Sequence, residues 1–73
     1  MNDNTAMRDG IEAALNAMYE MLTVAVTDVS VALEHIDKNE QNVAIGGIMP
    51  TKEALEQALT LYHAIIAMHR FRN

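Results

Sequence analysis

From Ile11 onward the apolar positions fall at Ile11, Leu15, Met18, Leu22, Ala25, Val29, Ala32 and Ile36, in steps of four and three without a miss. That is the period of a helix packed lengthwise against others. Val26 and Leu33 widen the stripe, and the opposite side reads Arg8, Glu12, Asn16, Glu20, Thr23, Thr27, Ser30, Glu34, Asp37. The stretch TVAVTDVSV, residues 23–31, crowds β-branched residues whose local preference is for strand. Strict alternation would place Asp28 on the apolar side of such a strand, whereas the helical stripe continues through it. A helix is therefore expected here as well, with any distortion near Asp28–Ser30.

The helix has two possible starts. Asp9-Gly10-Ile11-Glu12 has capping-box spacing, while Asn4 or Thr5 would begin the helix earlier and leave Gly10 inside it at about 1 kcal/mol. It should end in DKNEQN, where Lys38 suits the negative helix pole, giving a span of about 5–38. A second helix, about 51–71, is announced by Pro50, which biases Met49 toward extended backbone. Thr51 follows as a candidate N-cap, with Glu53 and Glu56 near the positive pole. Its inner stripe is Leu55, Ala58, Leu59, Tyr62, Ile65, Ile66 and His69, flanked by Leu61 and Met68.

Between them, NVAIGGIMPT lies in a connector, about 39–50, that is apolar where loops are normally polar. The pattern predicts a loop turned by Gly46-Gly47 and folded as a lid over the end of a bundle. The alternatives are a partner-binding loop presenting Val43, Ile45, Ile48 and Met49, or a short strand paired across a dimer.

The chain thus reads as one all-α domain over 1–73, a helical hairpin of long helix, apolar loop and shorter helix. Two helices touching along one line cannot bury stripes this wide, and the patch left over would exceed what monomers tolerate. Pairing two hairpins into a four-helix bundle solves this. The expected dimer core is Ile11, Leu15, Met18, Leu22, Ala25, Val29, Ala32 and Ile36 with Leu55, Leu59, Tyr62 and Ile66. Ala25 and Ala32 would let two long helices approach closely.

Composition narrows the chemistry. Seventy-three residues without cysteine exclude disulfides and thiolate metal sites, so a chain this short needs another stabiliser. A net charge of −5 disfavours phosphate backbones and anionic membranes. No basic-then-apolar leader opens the sequence, and its uncharged runs fall short of the roughly 20 residues of a span, so the cytoplasm is the expected location.

None of the histidines follows a glutamate by three residues, as a carboxylate-bridged di-metal site would need, so no metal or cofactor is expected. Asp37, Asn39 and Gln41 begin like a calcium loop, but Asn42 and Ile48 occupy its glycine and glutamate positions. Asp28, Ser30 and His35 share one helix and diverge around it, and no lysine-serine pair follows the glycines, so no enzyme is expected. The methionines read as gap-filling core. The functional expectation is a non-enzymatic cytosolic adaptor or regulator that homodimerises and binds another protein through Val43, Ile45, Ile48 and Met49 or the acidic stripe Glu12, Glu20, Glu34. The alternatives are a nucleic-acid-linked regulator using Arg70 and Arg72, or a bundle carrying a ligand on His69.

Overall fold

The computed structural model describes residues 3–71, with side chains from residue 5. Three helices follow in order: α1 (Asp3–Asp37), α2 (Gln41–Ile48) and α3 (Thr51–Arg70). Among the described residues there is no strand. α1 is continuous through Thr23–Val31. Within that stretch the Thr23 and Thr27 hydroxyls donate to the carbonyls of Tyr19 and Thr23, at 2.8 and 3.0 Å. Both threonines therefore satisfy their polar group inside the helix rather than competing with it. Gly10 lies within α1, and a Cβ there would stand 3.3 Å from Met68 Sδ, so the glycine admits the thioether of the returning helix.

α1 closes on a Schellman motif. The Glu40 N–H donates to His35 O (2.8 Å) and the Asn39 N–H to Ile36 O (3.0 Å), with Asn39 left-handed at φ 60°. His35 Nδ1 lies 2.8 Å from Glu40 Oε1 across the same turn. The Glu40 carbonyl then accepts the Ala44 N–H at 3.0 Å as the chain re-enters helix.

The expected loop over 39–50 is thus mostly helix. Gly46 and Gly47 do not make the turn: both are helical, neither has positive φ, and Asn39 supplies the left-handed residue instead. Met49 (φ −57°, ψ −41°) and Pro50 (φ −66°, ψ −16°) are right-handed, so Met49 is not extended. Proline cannot donate to a carbonyl four residues back, and it breaks the return helix for two residues without reversing it. Nor does Thr51 cap α3; its hydroxyl donates to Asp28 Oδ2 at 3.2 Å, tying the start of α3 to the middle of α1.

α2 and α3 both pack on α1, and the chain measures 58 × 14 × 12 Å. α2 and α3 therefore form one kinked arm returning along α1. Because α2 is helical and lies along α1, both segments of the return arm accompany the long helix. The radius of gyration is 16.9 Å, where a compact domain of this length would have about 11 Å.

The inner seam explains the thinness of this rod. On α1 the seam runs through Met7, Ile11, Ala14, Met18, Met21, Ala25, Asp28, Ala32 and His35, all half-buried or buried, with half-buried Gly10 and Ala17 beside it; on the return arm it includes Ala44, Thr51, Ala54, Ala58, Leu61, Ile65 and Met68. The spacing is again four and three. Among the described residues the buried apolar ones are all alanines: Ala25, Ala32, Ala44, Ala54 and Ala58. Small side chains bring the arms close near the turn, but each methyl contributes only about 0.8 kcal/mol on burial. One chain, by itself, has a weak core.

Candidate interaction surface

A second seam runs along α1, roughly a quarter turn around the helix from the first: Leu15, Tyr19, Leu22, Val26, Val29, Leu33, Ile36. Every one of these residues is exposed, Val26 the most at 67 %. The return arm repeats the arrangement with Ile45, Ile48, Leu55, Leu59, Tyr62 and Ile66, interrupted only by Lys52. All of these but half-buried Ile66 are exposed as well.

The two outward seams share one side of the hairpin. Leu22, Val26, Val29 and Leu33 of α1 and Leu55 of α3 line a common groove of about 610 Å³, and a second groove adjoins it along Leu15, Tyr19, Leu22 and Val26. A helix with two apolar seams a quarter turn apart is built for two neighbours, as in a four-helix bundle. The chain supplies each helix with one.

The expected dimer-core set therefore divides. Ile11, Met18, Ala25 and Ala32 face the return arm of their own chain, and Ala25 and Ala32 are already buried there rather than left to join two long helices of different chains. Leu15, Leu22, Val29, Ile36, Leu55, Leu59 and Tyr62 face outward. Ile66 is half-buried at the edge.

The other expected contact residues also separate. Ile45 and Ile48 continue the outward seam, whereas Val43 and Met49 fall elsewhere around α2, both exposed. Arg70 is exposed at the end of α3, and Arg72 lies outside the described residues. The reverse side is mixed: Glu20, Thr27 and Glu34 alternate on α1 with exposed Val24 and Val31, and α3 carries Glu53, Gln57 and Thr60, with Gln57 Nε2 donating to Glu53 Oε1 at 3.3 Å. Arg8 lies 3.6 Å from Asp9 and 3.7 Å from Glu12, pairs too exposed to contribute more than about 1 kcal/mol.

The histidines are dispersed. His35 is at the turn, His63 stands edge-on to Tyr62 with ring centroids 5.5 Å apart, and His69 is exposed near the α3 terminus. Among the described residues, no group of three or more His, Asp or Glu is placed to hold a metal. No described helix is long and apolar enough to cross a membrane.

The helical nature of α2 was the feature that sequence reasoning missed. Its signal lies in the spacing: Ala44, Gly47, Thr51, Ala54 and Ala58 keep the three-and-four rhythm through Pro50. No family model, curated protein or solved structure matches this chain.

Proposed function

We propose that two copies of this chain form a four-helix bundle, and that the bundle is a small non-catalytic cytoplasmic adaptor or regulator acting by binding another protein. The observation that carries the dimer is the outward seam on both arms. The chain exposes 5767 Å², roughly 1,300 Å² more than a folded monomer of 8.1 kDa should, and a standard interface needs about 800 Å² from each partner.

Once the outward seams are matched between chains, the exposed large apolar residues left on α2 and its C-cap are Val43 and Met49. They flank Gly46 and Gly47, where an added Cβ would meet nothing within 4 Å. Two glycines inside an exposed helix cost about 2 kcal/mol relative to alanine without relieving any contact in the chain. A partner lying against the bare backbone at Gly46, on the side of α2 away from buried Ala44, gives that glycine a purpose, whereas Gly47 keeps the rhythm of the inner seam.

The test is affinity capture from source cells with the intact dimer and with a Val43→Ser/Met49→Ser variant. A specific protein retained by the first and lost by the second, at unchanged mass and helicity, supports the reading. Retention of DNA alone, or of the same proteins by both, overturns it.

A further inference from the structure

We propose that the two chains lie antiparallel, with the two-fold axis crossing α1 beside Val26, so that α2 of each chain covers α3 of the other. This rests on the dimer proposed above and fixes its geometry. Two face-to-face arrangements would bury the outward side. In one the axis runs along the helices and both turns share an end; in the other it runs across them and the turns lie at opposite ends.

Both arrangements can match the apolar seams, and charge favours the second. There the outward seam of α1 is self-matching when reversed. Leu15 falls opposite the partner's Ile36, Tyr19 opposite the partner's Leu33, Leu22 opposite the partner's Val29, and Val26 opposite its own copy. On the return arm the same axis sets Ile48 against the partner's Leu59 and Ile45 against the partner's Tyr62. The apolar residues of α2, exposed within one chain, thus gain partners. Lys52 falls beside the partner's Leu55, where its stem covers apolar surface and its ammonium reaches solvent.

The turn is acidic, with Glu34, Asp37 and Glu40 against Lys38. The shared-end arrangement gathers two such turns together. The antiparallel one separates them and puts the end of α3, with Arg70, at the same end of the bundle as the partner's turn, so opposite charges share an end.

The absence of cysteine makes the test clean. A Val26→Cys chain should form a disulfide-linked dimer under mild oxidation, because the two Val26 positions meet at the axis. Spin labels on a Lys38→Cys chain should report about 35–40 Å between turns, from twelve residues of helix on either side of the axis. If labels lie within about 20 Å and Val26→Cys does not crosslink while the solution mass stays at two chains, the antiparallel arrangement is wrong and the dimer stands. A one-chain mass at every concentration overturns both. Because Lys38 is exposed in the turn, its distance decides the matter even where Val26→Cys disturbs packing.

Discussion

Val26 is the position at which the single chain and the assembled bundle predict opposite outcomes for one substitution. In one chain it is 67 % exposed in the middle of α1. Val26→Glu on a free surface should leave stability within about 0.5 kcal/mol, or raise it slightly, since glutamate is the better helix former. In the bundle the same side chain is buried beside its symmetry mate. Full burial of a valine contributes about 1.5–3 kcal/mol, so covering the exposed two-thirds contributes about 1–2 kcal/mol per chain. Loss in both chains removes about 2–4 kcal/mol, or about 30- to 1000-fold in the dimer Kd. Two carboxylates without partners then add desolvation, capped near 4 kcal/mol each by the cost of protonating glutamate at neutral pH. Sedimentation equilibrium with parallel circular dichroism reads the result: a chain that dissociates and loses helix at concentrations where the parent stays assembled. Unchanged mass and melting temperature would show that this face is not an interface, and the reasoning from the second seam would fail.

Other substitutions probe other parts of the construction. Gly46→Ala and Gly47→Ala should each stabilise the helix by about 0.5–1 kcal/mol in thermal melts, because both residues are helical with open space at Cβ; a loss of stability would mean that intrachain contact fills that space. Ala58→Leu should destabilise by about 1–3 kcal/mol, since Ala58 is buried at 4 % exposure against α1 and the arms have no room for a larger side chain; neutrality would show a looser hairpin. At the turn, Asn39→Gly should be neutral or mildly stabilising in denaturant unfolding and Asn39→Val clearly destabilising, because φ is 60°; equal stabilities would mean that the Schellman closure is not maintained in solution.

Much of this fold is legible in the residue pattern because helical spacing is a direct record of burial. The α1 stripe shows as an unbroken four-and-three series, and it outweighs the strand preference of Thr23–Val31 because the threonine hydroxyls find carbonyl partners within the helix. α2 is harder to read because its cues point the wrong way. A glycine pair and a proline are the usual marks of a turn, yet here the reversal falls to Asn39, in a segment that resembles an ordinary polar helix end. The division of the apolar stripe was hidden for another reason. Adjacent seams on one helix overlap in sequence, and only the buried alanines show which of them faces the return arm. Thr51 looks like a cap because the pattern does not show Asp28 beside it.

Whether one chain can stand with its outward seams uncovered is read by sedimentation equilibrium over a dilution series, with helicity recorded on the same samples. A particle of twice 8.1 kDa should lose mass and helix together on dilution, with a melting temperature that rises with concentration. A folded, fully helical species of 8.1 kDa persisting at micromolar concentration would contradict this expectation.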